Sequence, residues 1–396
     1  MIDGVVNCPG CSSCFEICPT NAIRVNRNST GFFVPSIDKD KCISCGLCST
    51  ICPIQNANRT NHIHAAFCFQ NTDESLRAGS SAGGFVSAVA RFVFEQKGYL
   101  FSVGLHGAFP HFVKCQSLKD CLDNSVFSSK YVFCDPHSIF GQIKEELTNG
   151  HFVCFIGLPC QVAGLKSYLK KDYSNLLLID LVCYGAPSPS VYELFIREVE
   201  NRFKSTVSFV NFRDKTFGYS SPNLSITFEN GKVVSQNKLV KSYLKLYFNN
   251  LSINDACYRC FFKGKERHSD LTIGDCQEIK RLVPSFDDDK GTTAVYINSS
   301  KGEELFKSII SSANYKTQSV NLDQMIELAG KKLMHSAQMP SNRKLFLETL
   351  QTSNYKLIIK KFAKLSFVDK AVIIIKKAMI LLHITNFKVF KKLKKR

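Results

Sequence analysis

The chain has 396 residues, of which 44% are hydrophobic and 21% charged, with 18 cysteines and a formal net charge of +18. This length provides for two or three domains, and the composition excludes a disordered or collagen-like chain. The first residues do not resemble a signal peptide. We therefore expect a cytoplasmic protein whose cysteines stay reduced and available to metals, rather than a secreted disulfide framework.

Two copies of one cysteine pattern, Cys-x-x-Cys-x-x-Cys-x-x-x-Cys-Pro, lie within the first 53 residues. The first copy contains Cys8, Cys11, Cys14 and Cys18, and the second contains Cys42, Cys45, Cys48 and Cys52. This run is typical of bacterial two-cluster ferredoxins, in which the fourth cysteine of each run ligates the other cluster. We therefore expect two 4Fe–4S clusters, one on Cys8, Cys11, Cys14 and Cys52 and the other on Cys42, Cys45, Cys48 and Cys18.

Zinc and disulfides are the competing interpretations of these two runs. A structural zinc site usually takes two Cys-x-x-Cys pairs and does not need a third thiol at the next step. A disulfide framework is typical of short secreted chains. The doubled run therefore favours two iron–sulfur clusters over either alternative.

After the cysteine-rich segment, the sequence alternates between strand and helix patterns. A helix with an apolar face is predicted over residues 83–98, and apolar strands over 152–156 and 176–182 each precede a helix. This alternation predicts an α/β body with a mainly parallel or mixed sheet. An antiparallel insertion is predicted over 207–236, with Asn230-Gly231 as its hairpin turn.

A second set of thiols lies in this body. Cys160 and Cys183 follow predicted strands, and Cys257 and Cys260 form a Cys-x-x-Cys pair. The carboxyl ends of neighbouring strands meet in one crevice, and four sulfur ligands suit zinc or an iron–sulfur cluster. The nearby ferredoxin-like segment favours a third 4Fe–4S cluster, with Cys276 as a substitute ligand. A redox-active Cys160 thiolate at a helix N-terminus and buried structural cysteines remain alternatives.

Small residues precede the predicted helix at residue 85, namely Ser80, Ser81, Gly83 and Gly84. Backbone N–H groups at such a helix start suit a phosphate, although a plain turn and cap explains them equally well. Neither the dinucleotide-binding fingerprint nor a Walker loop is found. Charged residues near the later strand ends are interpreted as surface residues or salt bridges; they are Arg213, Arg267, Asp270 and Asp275.

Most of the positive charge lies in the last segment. Residues 356–396 contain 13 Lys and Arg and one acid, and their apolar residues predict helix without a run of about 20 for a membrane span. One interpretation is an amphipathic helix packed on the body. The other is contact with an acidic partner protein or anionic lipid at the inner membrane face. We expect no nucleic-acid partner, because no aromatic-and-basic motif is found.

Six short stretches occur in an order that resembles one known family. They are residues 80–85, 157–165, 180–188, 212–215, 257–261 and 267–275. Together they resemble the coenzyme F420 (deazaflavin) hydrogenase/dehydrogenase beta-subunit family, in the form with an N-terminal ferredoxin-like domain. Tyr184 stands where that family commonly has His.

The resemblance implies FAD beside a 4Fe–4S cluster. By analogy the Gly83-Gly84 turn and Lys215 would contact the flavin or its phosphates, and the four body thiols would hold the cluster. The implied domains are a two-cluster ferredoxin-type domain over 1–60, family N- and C-terminal domains over 63–148 and 149–315, and a helical Lys-rich tail over 316–396. The predicted fold class is thus α+β with α/β: a small ferredoxin-like domain, a mixed-sheet flavoprotein body and a basic helical tail.

The leading hypothesis is an iron–sulfur flavoprotein oxidoreductase. It would pass electrons between 4Fe–4S clusters and FAD, and on to a redox partner protein or a small coenzyme such as F420. No catalytic residue is assigned. Two alternatives stand beside it: a non-catalytic electron-relay subunit that docks to a separate enzyme, and a flavin-dependent reductase in surface-polysaccharide biosynthesis.

Overall fold

The computed structural model describes residue 5 and residues 7–56 and 61–382. In chain order its strands are β1 Ile23–Arg27, β2 Phe33–Ile37, β3 Asn61–His62, β4 Ala65–Gln70, β5 Tyr99–His106, β6 Phe109–Cys115, β7 Val153–Gly157, β8 Leu176–Leu181, β9 Val207–Asp214, β10 Asn223–Phe228, β11 Val233–Val234, β12 Glu266–Arg267, β13 Leu271–Asp275, β14 Thr293–Ile297 and β15 Lys316–Val320. Its α-helices are α1 Ser13–Ile17, α2 Leu47–Thr50, α3 Glu74–Gly79, α4 Phe85–Glu95, α5 Leu118–Asp123, α6 Ile139–Thr148, α7 Pro159–Leu169, α8 Pro189–Phe203, α9 Lys238–Phe248, α10 Ile279–Leu282, α11 Ser300–Ser311, α12 Leu322–Ala329, α13 Lys331–Met334, α14 Arg343–Thr352, α15 Tyr355–Phe362 and α16 Phe367–Leu381.

Residues 7–56, the ferredoxin-like unit, form a β1–β2 antiparallel hairpin flanked by the short helices α1 and α2. Its apolar core is small: Ile23 and Phe33 are buried, and half-buried cysteines of both runs pack around them. A segment of this size buries too little apolar surface to be stable by itself, so metal binding is expected to contribute to its folding.

The body is built on one eight-stranded mixed sheet with the order β15-β4-β14-β13-β8-β7-β5-β6. The central strands β13, β8, β7 and β5 are parallel, and the strands at both edges are antiparallel. Helices α4 and α11 cover one face, and α6 and α7 cover part of the other. The predicted mixed-sheet α/β fold class is therefore confirmed.

This sheet takes strands from both predicted body domains, because β4 to β6 come from 63–148 and β7, β8, β13 and β14 come from 149–315. The domain division stays a prediction about sequence units. One expectation is wrong in detail: residues 316–320, assigned to the helical tail, form the edge strand β15. Its alternating polar residues suit a sheet edge that faces solvent on one side.

A second, three-stranded sheet, β11-β10-β9, lies under helices α8, α9, α14 and α15. Its core is rich in aromatic rings, including Tyr192, Phe195 and Tyr243. The predicted hairpin is observed between β10 and β11, with Gly231 at φ 78° in its turn. That φ lies in the left-handed region, which glycine adopts without strain.

The ferredoxin-like unit docks on α7 and α8 of the body. The Ser188 hydroxyl at the start of α8 donates to the Thr30 carbonyl over 2.6 Å, and Arg27 pairs with Asp135 at 2.8 Å. On α7, a Cβ added to Gly164 would lie 2.9 Å from the Cβ of Cys11. This close approach brings the first cysteine run against the middle of α7.

His137 supports the same contact and predicts a pH dependence. Its ring packs edge-on to Phe15 and Phe33, with centroids 4.7 and 4.9 Å away, and burial lowers its pKa from 6.5 to about 4. Between these values the unfolded chain binds a proton that the folded chain does not, so stability is lost as the pH falls from 6.5 towards 4. We expect His137→Asn to show a smaller loss than the wild type in anaerobic thermal melts at pH 7 and pH 5.

The control for this prediction is His62→Asn, which alters an exposed histidine. Effects of acid that do not involve His137 act on all three proteins alike, so the informative quantity is the difference between their pH slopes. Equal pH slopes for the wild type and His137→Asn would contradict the role given to His137.

Candidate iron–sulfur and cofactor site

Four thiols from the two runs meet at the inner side of the ferredoxin-like unit. Burial, followed by the neighbouring thiols Cys11 and Cys52, raises the pKa of Cys8 to about 12. Burial and the same neighbours, together with Cys8, also raise the pKa of Cys14. Cys52 of the second run therefore lies with the first three cysteines of the first run, as the crossed pattern predicts.

The close packing of these four thiols is suited to binding a cationic group. Buried thiolates that lie close together repel one another, and a bound metal relieves this repulsion because it holds cysteine in the deprotonated form. The residues present at this position therefore suit an iron–sulfur cluster on chemical grounds.

The remaining four cysteines of the two runs are half-buried or exposed. Cys45 is exposed, whereas Cys42 and Cys48 are half-buried. Although burial opposes it, hydrogen bonds from Thr20 and Ala22 lower the pKa of Cys18. Cys18 and Cys48 both contact the Ile23–Phe33 core. This second set, called the outer thiol set, thus includes one solvent-exposed cysteine, Cys45.

The four body thiols line one small cavity, called here the thiol pocket. Its cysteines are Cys160, Cys183, Cys257 and Cys260. Burial and the other thiols raise the pKa of Cys160 and Cys257, while Lys263 partly offsets this rise for Cys183. Within residues 7–56 and 61–382, no three His, Cys, Asp or Glu side chains meet as the ligands of a single metal ion would.

Local hydrogen bonds hold these cysteines in place. Cys160 is in the first turn of α7, where the Gln161 amide accepts from the Leu158 N–H over 2.9 Å and donates to the Cys134 carbonyl over 2.8 Å. The Cys257 sulfur accepts from the Ala186 N–H at 3.2 Å. These bonds position the first turn of α7 around Cys160 and hold the sulfur of Cys257.

Cations surround the thiol pocket. Arg267 lines it and donates to Asp180 over 2.7 and 3.1 Å and to the Phe262 carbonyl over 2.9 Å. Lys263 also lines the pocket and donates to the Cys183 carbonyl over 2.5 Å. Four thiolates around an iron–sulfur core carry net negative charge, and nearby cations stabilise that charge.

The thiol pocket adjoins the ferredoxin-like unit. Asn7, Pro9 and Ile54 of that unit line the pocket, and Cys11 contributes to the raised pKa of Cys160. The inner thiol set of the ferredoxin-like unit is therefore the one that faces the body.

A cavity of about 410 Å³, the large cavity, lies on the other side of the pocket. It opens at the carboxyl ends of the parallel strands β7, β8 and β13, where open α/β sheets usually bind ligands. Its volume is within the range of small-molecule sites. Leu158, Cys183 and Lys332 line both the large cavity and the thiol pocket, so the two are separated by single side chains.

The predicted phosphate-binding residues divide into two groups. Ser80, Ser81 and Gly84 line the large cavity, and Gly84 has φ 84° at the start of α4. Gly83 lies outside the lining, where an added Cβ would be 2.2 Å from the Phe69 carbonyl oxygen. Gly83 therefore permits close backbone packing, and a direct contact between it and a cofactor stays a prediction.

Lys215 also lies outside the cavity lining. Its ammonium donates to the carbonyls of Arg77, Ala82 and Lys290 over 2.9 to 3.1 Å, and burial lowers its pKa to about 8. These bonds fasten the loop that carries Ser80 and Ser81. The geometry gives Lys215 a role in shaping the cavity, and a direct flavin contact stays a prediction.

Several charged and aromatic residues of the large cavity are absent from the sequence-based site. Tyr131 lines it, as does Lys130, whose ammonium donates to three carbonyls. Lys332 comes from α13 and lies 5.5 Å from the centre of the Tyr184 ring. No local motif identifies these residues, because distant segments bring them together.

The charged residues near the strand ends form salt bridges, as the sequence analysis predicts. Arg213 pairs with Asp275 inside the large cavity, Arg267 pairs with Asp180, and Lys301 pairs with Asp270. The expectation for Cys276 is wrong. That thiol is fully buried in a hydrophobic core, where it is hydrogen-bonded to Cys68 away from the thiol pocket.

Comparison with known proteins agrees with this geometry. Residues 151–322 match the family that is described as the C terminus of the coenzyme F420 hydrogenase/dehydrogenase beta subunit, and residues 7–56 match the 4Fe-4S dicluster domain. The 151–322 segment is thus similar to this beta-subunit family. The resemblance stated from the sequence motifs is therefore confirmed, and the dicluster match supports iron–sulfur clusters in the ferredoxin-like unit.

Two curated relatives and one solved structure are similar to parts of the chain. The F subunit of the F(420)H(2) dehydrogenase of Methanosarcina mazei is 23% identical over 187 residues, which are 44% of this chain and 53% of the relative. The B subunit of an ion-translocating oxidoreductase complex of Methanosarcina acetivorans is 46% identical over 48 residues, 12% of this chain and 16% of the relative. The chain thus spans about half, or less, of these relatives. A chain of the F420-reducing [NiFe] hydrogenase complex from Methanosarcina barkeri aligns with a TM-score of 0.46 and 16% identity, covering 72% of this chain and 92% of that one.

Proposed function

We propose that the chain is an iron–sulfur flavoprotein oxidoreductase with three 4Fe–4S clusters and FAD. The inner and outer thiol sets of the ferredoxin-like unit would hold two clusters, the thiol pocket the third, and the large cavity the flavin. When bound, the clusters supply one-electron carriers and the flavin supplies hydride chemistry. A reducing compartment such as the cytoplasm, which keeps thiols free, is part of this proposal.

The observation that carries the proposal is the thiol pocket between two other sites. Residues of the ferredoxin-like unit line one side of it, and Cys183 and Lys332 connect it to the large cavity. A structural metal site would not need a second cavity that shares a ligand residue with it. The arrangement therefore supports redox chemistry rather than a role in stability alone.

The chain's own residues would prepare the large cavity for a flavin. The start of α4, with Gly84 and Phe85 at the cavity lining, offers N–H groups for phosphate. The Ser80 and Ser81 hydroxyls already donate to the Leu76 and Phe127 carbonyls and hold the loop in shape. Tyr184 and Phe248 line the cavity with flat apolar surface. Lys332 adds positive charge beside the thiol pocket, where it would favour an electron-rich, anionic form of a bound ring.

Cofactor analysis after anaerobic purification tests the proposal directly. We expect about twelve irons, about twelve sulfides and one flavin per chain, with EPR signals of reduced 4Fe–4S clusters. Zinc in place of iron, with no flavin after anaerobic purification, would refute the proposed function.

Filling the large cavity should separate flavin binding from iron binding. Ser129 lines the cavity and donates to the Ser81 hydroxyl over 2.8 Å, so Ser129→Phe places a ring in the space proposed for the flavin. We expect flavin occupancy to fall about tenfold, equivalent to about 1.4 kcal/mol, with iron content unchanged. The measurement is the flavin-to-iron ratio of the purified protein.

The matched control for this variant is Ser308→Phe, the same exchange at an exposed position on α11. It should leave both flavin and iron at wild-type levels. Full flavin occupancy in Ser129→Phe would show that the flavin does not bind in the large cavity.

An electron-relay subunit is the second candidate function, and the exposed position of Cys45 favours it because a cluster there lies near the surface. The curated relatives are described as subunits. Reduction of coenzyme F420, or of another soluble two-electron acceptor, by the reconstituted chain alone would support the enzyme. Electron transfer that requires a second protein would support the relay.

A further inference from the structure

Helix α16 is fastened to the body by one face. Ile373, Lys376 and Met379 are buried on that face. The Lys376 ammonium donates to the Ser221 carbonyl over 3.2 Å and to the Asn223 side chain over 2.8 Å. Lys245 pairs with Asp369 at 2.9 Å. These contacts fix which side of the helix faces away from the body.

The side that faces away is apolar and exposed. Its large residues, called the outer face, are Phe367, Val368, Ile374, Ile375, Leu381 and Leu382. Phe367, Ile374 and Leu381 are 86%, 67% and 80% exposed. They follow one another at intervals of seven residues, as do the other three, so they form a continuous stripe along the helix.

This arrangement reverses the usual pattern of a surface helix, which turns its apolar residues to the core and its lysines to water. On α16 a lysine is buried, and the six large apolar side chains of the outer face are exposed. Contiguous exposed apolar patches mark interaction sites rather than ordinary surface. The outer face therefore requires a covering surface.

The charge around the outer face indicates what that surface is. Lys370 and Lys377 are exposed beside it, and seven residues, or about two helical turns, separate them. The sequence of residues 383–396, which follows directly, contains six Lys and Arg and no Asp or Glu. Apolar residues flanked by lysines are typical of helices that lie in the interface of an anionic bilayer.

We propose that the outer face of α16 binds the surface of a membrane that contains anionic lipid. The helix lies in the plane of the interface, with the apolar stripe at the acyl boundary and the lysines at the headgroups. Among the described residues, no helix is long and apolar enough to cross a membrane. The attachment goes beyond the proposed redox function, and its test does not depend on cofactor chemistry.

Vesicle co-sedimentation of the full chain tests this proposal. The probes are phosphatidylcholine vesicles with and without phosphatidylglycerol. We expect the wild type to bind the mixed vesicles. The triple variant Phe367→Ser, Ile374→Ser, Leu381→Ser should bind them at least about tenfold more weakly than the wild type. Lys370→Gln and Lys377→Gln should each weaken binding by about fivefold. The lysine variants should lose this difference at high salt.

The matched control is a triple variant at exposed apolar positions elsewhere: Leu122→Ser, Val233→Ser and Met339→Ser. It should bind vesicles as the wild type does. Since the outer-face side chains are exposed, circular dichroism and melting of the outer-face triple variant should match the wild type, which separates lost binding from lost folding.

Two outcomes would overturn the proposal. The first is unchanged vesicle binding by the folded outer-face variant. The second is a dimer in vesicle-free solution that the same variant converts to monomer, because this would assign the outer face to a second copy of the chain.

Discussion

Cys257→Ala is expected to lower the iron content from about twelve to about eight atoms per chain, because it removes one of the four thiols proposed to hold a cluster in the thiol pocket. The Cys257 sulfur is buried and accepts the Ala186 N–H, so no water-exposed group can take its place without rearrangement. The two thiol sets of the ferredoxin-like unit share no ligand with the pocket and should keep their clusters. Iron and sulfide analysis with EPR measures the loss.

The control is Cys276→Ala, which removes a fully buried cysteine from a hydrophobic core. It should retain all the iron, although its melting temperature can fall because of the cavity. Cys160→Ala should lose the same four irons as Cys257→Ala. Full iron content in either pocket variant would favour a reactive Cys160 thiolate or structural cysteines. An equal loss of iron in Cys276→Ala would show that the loss is not specific to the thiol pocket.

Arg267→Met is expected to destabilise the body by about 3–5 kcal/mol, because it leaves the Asp180 carboxylate buried without its partner. Arg267 and Asp180 are 3% and 1% exposed, and the second carboxylate oxygen already accepts from the Thr272 hydroxyl. The Phe262 carbonyl also loses its donor, and it lies two residues after Cys260. The variant should therefore release iron from the thiol pocket faster during anaerobic chelation.

Denaturant unfolding followed by circular dichroism measures this effect, and two further variants sharpen it. Arg267→Met combined with Asp180→Leu removes both charges and should recover part of the lost stability. Lys119→Met, which breaks the exposed Lys119–Asp123 pair, should unfold at nearly the same denaturant concentration as the wild type. A loss in Arg267→Met no larger than that in Lys119→Met would show that the buried pair contributes little.

The sequence predicts the iron–sulfur chemistry well because its ligands are local. The two runs place eight thiols within 53 residues, and their crossed pairing follows from chain geometry. Cys160 and Cys183 could also be placed together, since each follows a strand and those strands are neighbours in a parallel sheet. Cys257 and Cys260 reach the pocket from the connection between α9 and β12, and local pattern alone does not specify that contact.

Other features could not be read from local sequence. A Gly-Gly pair predicts either an exposed N–H cradle or close packing, since both need the absence of a Cβ. The structure uses Gly83 for packing and leaves Gly84 at the cavity. Lys332 comes from a short helix beyond the family segment, and β15 has the polar composition of a loop. The position of Lys332 and the pairing of β15 both depend on tertiary contacts, which the periodicity of the sequence does not predict.

The close approach at Gly164 has a consequence for how this architecture can change. A side chain larger than hydrogen there would push against Cys11 and Ser13. An unrelated ferredoxin domain fused to this body would therefore need a surface that fits α7 at Gly164, as well as a linker. The ferredoxin-like unit and the body therefore depend on each other's surfaces, and we expect their sequences to have changed together.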